Sequence, residues 1–182
     1  MKLHLRFSLV LLATMNELDE TWSRMMAVAM EKARDAGRGG VADYLALKQS
    51  NDVIRQASID WLFDSFIKMA SEANRRNASI AIEREEPHEF SFQNARMAGS
   101  LVRILLGVRR LTVEAGWPRT PSHGFMRGGA LAAARITHFG MPKAGAEMVL
   151  ARDGDVPVWR LDDGTTFDSH DLTEHFRVFL AD

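Results

Sequence analysis

The chain opens on an apolar run, Phe7 to Met15, and then changes to helical spacing. Asn16 supplies an N-cap, Glu17, Asp19 and Glu20 suit the first turn of a helix dipole, and Trp22, Met25, Met26, Ala29, Met30 and Ala33 recur on one face. Gly37 to Gly40 reads as a flexible connector, so residues 1–36 form a candidate helical arm on an otherwise single domain spanning 1–182. From Val41 to Asn74 the period is helical again, with a candidate break at Ser50 to Asp52. Ile54, Ala57, Trp61, Leu62, Phe66, Met69 and Ala73 form the expected buried stripe of a central helix.

The period then drops to two. Ser79 to Glu83 reads as a strand with Ile80 and Ile82 inward, interrupted downstream by Pro87. A helix is expected from about Asn94 to Leu106, closed by Gly107, on the apolar positions Ala95, Ala98, Leu101, Val102, Leu105 and Leu106. Arg109 to Glu114 alternates as a second strand, and a loop dense in Gly, Pro and Arg leads into an expected small-residue helix, Ala130 to Phe139. The tail predicts a meander of Glu147–Arg152, Val156–Leu161 and Thr165–Phe167, with turns at Asp153-Gly154 and Asp163-Gly164. A last helix follows, capped by Asp168 or Ser169, with Leu172, Phe176, Phe179 and Leu180 on one face. These elements predict an α+β fold: long central helices on a small mixed or antiparallel sheet, then a C-terminal β-meander and a helix.

Composition narrows the chemistry. With no cysteine there is no disulfide framework, no Cys-ligated metal and no thiol nucleophile. The N-terminal apolar run lacks the small residues of a signal-peptide cleavage site and is too short to span a bilayer, so a cytoplasmic protein without a membrane partner is expected.

Charge changes the picture more than composition does. The net charge is −1, yet Arg96 to Lys143 holds eight bases against Glu114 alone, while residues 144–182 hold three bases and nine acids. A polarised chain calls for an anionic partner or for internal neutralisation by its own tail. The candidate anion site is Arg109, Arg110, Arg119, His123 and Arg127, with Gly128 and Gly129 opening the expected helix and Trp117 beside the arginines as a stacking surface. Arg109 and Arg110 are adjacent on a strand, so only one of them can line a given face. No Gly-Lys-Ser/Thr is present, and GFMRGG lacks the spacing of a dinucleotide fingerprint.

Two weaker constellations remain. Glu83, Glu85 and His88, joined by Glu114 if the two predicted strands pair, are the raw material of a divalent-metal site; a solvated acidic turn explains most of them as well. Asp168, His170, Asp171, Glu174 and His175 gather at the start of the last helix, where a capping turn accounts for them, and His138 is expected at a helix end. The serines lack a nucleophile-elbow context.

The resulting expectation is a non-enzymatic binding or assembly component that engages nucleic acid or a phosphorylated ligand through residues 96–143, without a cofactor. A metal-dependent phosphoester hydrolase built on the Glu/His cluster is the first alternative, and the one reading that needs a divalent ion. The other is a structural subunit that docks a protein partner or a second copy of itself.

Overall fold

The computed structural model describes residues 24–154 and 156–181. The apolar run at Phe7 to Met15, the Asn16 cap and Trp22 lie outside the described residues. Among the described residues three α-helices and seven strands follow one another: α1 (24–35), α2 (Gly39–Arg75), β1 (Ala81–Phe92), β2 (Ala95–Leu106), β3 (Arg109–Trp117), β4 (Ala132–His138), β5 (Ala146–Asp153), β6 (Val156–Leu161), β7 (Thr166–Phe167) and α3 (Ser169–Leu180). Among the described residues no helix is long and apolar enough to cross a membrane.

The chain divides into two units, with the boundary between Asp52 and Val53. In the first, Met26 and Ala42 are buried, whereas Met25, Val28, Val41, Tyr44 and Leu47 are exposed. The stripe expected on the first helix is therefore only partly buried. The connector is shorter than its glycines suggest: Gly37 takes the left-handed turn at φ 67°, and Gly39 and Gly40 already belong to α2.

The second unit is an α+β structure around one antiparallel sheet in simple sequential order, β1 to β7. One face is covered by helical residues. Ile59, Leu62, Phe63, Phe66 and Ala70 of α2, with Leu172, Phe176 and Phe179 of α3, share a core with Val102, Ile104, Leu111, Val113, Ala115, Ile136, Met148, Leu150 and Trp159. The buried positions of α2 recur at helical spacing, but the stripe is rotated from the expected one: Trp61 is 41% exposed and Phe63 is fully buried.

On the opposite face a second cluster, Phe90, Phe92, Ala95, Met97 and Ala133, packs beneath Met126 of the β3–β4 connection. Gly124 of that connection also lies against Ala95. With apolar residues required on both sides, β2 and β4 lose the alternation that marks a half-exposed strand. The expected helices at 94–106 and 130–139 are accordingly strands, and Gly107 is a hairpin-turn glycine at φ 59°, not a helix terminator.

The C-terminal meander and helix match expectation closely. Asp168 caps α3, accepting from the backbone N–H of His170 at 2.7 Å and of Asp171 at 3.4 Å, while the Asp171 carboxylate accepts from the Asp168 N–H at 2.9 Å. Asp168→Ala removes this reciprocal cap and is expected to cost about 1 kcal/mol, read as a lowered urea midpoint.

Candidate functional site

Strand pairing decides which predicted residues meet. Along β3 alternate side chains face the helices (Leu111, Val113, Ala115, Trp117) or the opposite, open face (Arg110, Thr112, Glu114, Gly116). Register extends the open-face row to Glu83, Glu85 and His88 on β1, Leu101 and Arg103 on β2, Arg135 and Thr137 on β4, and Glu147 on β5. Glu85 and His88 are three apart and would point to opposite faces of a regular strand; the register shift between them brings both to the open face.

A continuous polar chain crosses five strands there. Arg103 donates to Glu85 at 2.9 Å; Glu85 Oε1 lies 3.2 Å from His88 Nδ1; His88 Nε2 lies 2.8 Å from Glu114 Oε2. Arg135 Nε donates to Glu114 Oε1 at 2.7 Å, with a second contact from Nη2, and its Nη1 reaches Glu147 at 3.5 Å. Glu114 is buried, and a carboxylate taken out of water is tolerated when it is paired and hydrogen-bonded as this one is. Phe90 stacks on His88 with ring centroids 5.9 Å apart. Hydrogen bonds from His88 and then Arg103 hold the Glu85 carboxyl below its ordinary value.

The expected pairing of the Glu83 strand with the Glu114 strand does not occur, because residues 95–106 form β2, not a helix, and lie between them. Glu85, His88 and Glu114 nevertheless converge, while Glu83 sits apart at 4.0 Å from Arg103. Among the described residues no group of three or more His, Cys, Asp or Glu is arranged to hold a metal ion.

Among the described residues three bases of the basic segment meet carboxylates, and of those acids only Glu147 belongs to the tail. Arg96 pairs with Glu89, Arg103 with Glu85, and Arg135 with Glu114 and Glu147, so most of the matching acids come from β1 and β3. The remaining candidates do not form one cluster. Arg109 and Arg110 open β3, whereas Trp117, Arg119, His123, Arg127, Gly128 and Gly129 lie at or beyond its end, roughly 23 Å away at the usual rise per residue.

At the far end Trp117 belongs to the core, with the Arg119 guanidinium 3.5 Å from its ring centre and that of Arg55 at 5.6 Å. The stacking surface assigned to Trp117 is thus occupied, and Phe125, 82% exposed, is the aromatic of this loop that faces solvent. The Arg119 N–H donates to His123 Nδ1 at 3.4 Å. Gly128 and Gly129 do not head a helix: they sit in a short 3-10 turn, Arg127–Gly129, that runs into β4. The helix-dipole contribution expected at that point is absent. Arg127 is exposed and has no carboxylate partner among the described residues. A surface depression of about 560 Å³ lies alongside, lined by Gln93, Asn94, Arg96, Ser122 and His123 among others.

At the near end Arg109 donates to the Leu180 carbonyl at the close of α3 at 3.0 Å, and Arg110 lies over the Phe139 ring at 4.9 Å. His138, expected at a helix end, is buried on β4 beside α3. Its Nε2 faces His175 Nδ1 at 3.0 Å, the rings are stacked, and its Nδ1 is buried without a hydrogen-bond partner among the described residues. Sequence reading missed this pair, since nothing local links positions on β4 and α3; the sole signal was that Asp171 and His175 share a helix face. Compared with known proteins, the chain matches no family model, no curated protein and no solved structure.

Proposed function

We propose that the protein is a binding or assembly component that engages an anionic partner, nucleic acid or a phosphorylated ligand, through the β3–β4 connection. The observation that carries this reading is the pairing, in one loop, of an exposed Phe125 with an exposed Arg127 that has no carboxylate partner among the described residues. A solvent-facing ring can stack on a base, and a guanidinium beside it meets the phosphate. Ser122 and His123 of the same connection line a depression with Asn94 and add hydrogen-bonding groups. Packing of Met126 and Gly124 on the second core cluster holds the loop in place, which lowers the entropy lost on binding. Arg109 and Arg110, at the other end of β3, do not belong to this surface.

Labelled single- and double-stranded DNA and RNA, titrated by anisotropy between about 50 and 200 mM salt, test the proposal. Binding that weakens steeply with salt is expected, and Phe125→Ala with Arg127→Glu is expected to weaken it about tenfold or more, as stacking and charge-assisted contacts are lost. Absence of binding at the low-salt end to these nucleic acids and to phosphorylated peptides would refute the reading.

A further inference from the structure

The opposite end of β3 carries a second feature that the proposal above does not use. Thr112 on β3 and Thr137 on β4 are directly opposed in register, and both face the open side of the sheet. One step further along the same face are Arg110 and Phe139, tied by the Phe139 N–H donating to the Arg110 carbonyl at 2.9 Å. The chain then turns at Gly140, φ 77°, and Pro142 and Gly145 close the far wall. Gly145 sits so tightly on β4 that a Cβ there would stand 2.9 Å from the Ile136 carbonyl. The result is a cleft of about 380 Å³.

Its chemistry is specific. The Arg110 guanidinium lies over Phe139 without a carboxylate partner, and neither threonine hydroxyl has a hydrogen-bond partner among the described residues. The carboxylates Glu114 and Glu147 on the same face are already engaged by Arg135, so they do not compete for Arg110. Three donors thus line a small cleft whose remaining walls are His138, Phe139, Pro142 and the glycines at 140 and 145. One guanidinium supplies one positive charge in a planar fork, which matches a carboxylate better than a phosphate dianion, and the two hydroxyls can donate to its oxygens. The apolar walls take a short hydrocarbon or aryl group, and the volume is at the lower end of the range for ligand pockets.

We infer that this cleft binds an amphipathic monocarboxylate, its charged head on Arg110, Thr112 and Thr137 and its apolar body against Phe139 and Pro142. The head comes either from a free small acid or from the C-terminal residue of a peptide. The inference is independent of the β3–β4 loop, and each stands or falls alone.

Amide chemical shifts of the full chain, followed during titration with 3-phenylpropanoate, read the site directly. Saturable shifts centred on Thr112, Thr137, Phe139, Gly140 and Gly145 are expected, with 3-phenylpropanamide and phenyl phosphate binding about tenfold or more weakly. Arg110→Gln is expected to abolish saturation, and the double variant Thr112→Val with Thr137→Val to weaken it, with the spectrum elsewhere unchanged. A short peptide ending in free phenylalanine, compared with its C-terminal amide, separates the two sources of the head group: preference for the free acid assigns a peptide end, and binding by the small acid alone assigns a metabolite. No saturation by either acid at about 10 mM, a shift pattern centred elsewhere, equal binding of the amide, or tighter binding of phenyl phosphate would each overturn the inference.

Discussion

Gly99→Ala is expected to destabilise the sheet by about 3 kcal/mol or more, above the usual cost of overpacking a core. A Cβ at Gly99 would stand 2.0 Å from the Ala115 carbonyl oxygen and 2.6 Å from Gly116 Cα, both backbone atoms of β3 that no rotamer change can move. Gly116 faces Gly99 in register, and its own Cβ would stand 2.8 Å from the Ala98 carbonyl, so Gly116→Ala is expected to be the milder of the two. The same glycines explain how the polar chain crosses the sheet. His88 lies opposite Gly99, and its ring reaches Glu114 on the next strand but one, at 2.8 Å. That reach is open because β2 carries no side chain between them. Urea unfolding of Gly99→Ala beside Gly40→Ala checks the argument. Gly40 lies near the start of α2 with nothing within 4 Å of its Cβ position, so alanine there is expected to be neutral or slightly stabilising. A loss below about 1 kcal/mol in Gly99→Ala would mean that the strands can separate at this point without consequence.

Legibility from sequence followed the number of covered faces. The tail strands β5 and β6 were readable because turn dipeptides at Asp153-Gly154 and Asp163-Gly164 punctuate short runs, and the α3 cap because Asp168 and Asp171 stand at the spacing a reciprocal cap needs. The segments at 95–106 and 132–138 misled for one shared reason. Val102 and Ile104 serve the helix-covered core while Met97 and Leu101 are buried on the other side, and Ala133 does the same between Ala132 and Ala134. Such strands read as continuous apolar runs, which also satisfy helical spacing.

The candidate site was half legible for a related reason. Glu85, His88 and Glu114 could be singled out by type, but their meeting depends on a register shift in β1 and on glycines in β2 and β3 that carry no chemical signature. Charge counting along the chain singles out a basic stretch but cannot say which of its arginines share a surface. Carboxylates on neighbouring strands or across the hairpin meet Arg96, Arg103 and Arg135, while the candidates Arg109 and Arg110 stand at one end of β3 and Arg119 and Arg127 beyond the other.

Acidification is expected to weaken the protein through His138 well before its carboxylates alone would do so. Burial, reinforced by the charge of His175 when that ring is protonated, pushes His138 from its ordinary 6.5 down to about 4. The folded state therefore disfavours the protonated ring. Above pH 6.5 both states hold the ring neutral and the full stability is present. As pH falls from 6.5 towards 4, the unfolded chain binds the proton first, and stability is lost across that window. The full shift corresponds to about 3 kcal/mol, most of it already lost at pH 4.5. Burial lowers His175 too, partly offset by the Asp171 carboxylate one turn away, so the pair acts in the same direction. Both rings sit where α3 meets β4, with Phe167 of β7 against His175, and the damage should begin at the C-terminal helix. Urea unfolding at pH 7.5 and pH 4.5, compared between the parent and His138→Phe, isolates this contribution from that of the carboxylates, which the two proteins share. The variant is expected to lose about 2 kcal/mol less on acidification, its ring occupying the same buried position without a proton to bind. Equal losses in the two proteins would show that His138 keeps the same proton affinity folded and unfolded, and that its unpartnered nitrogen is met by solvent.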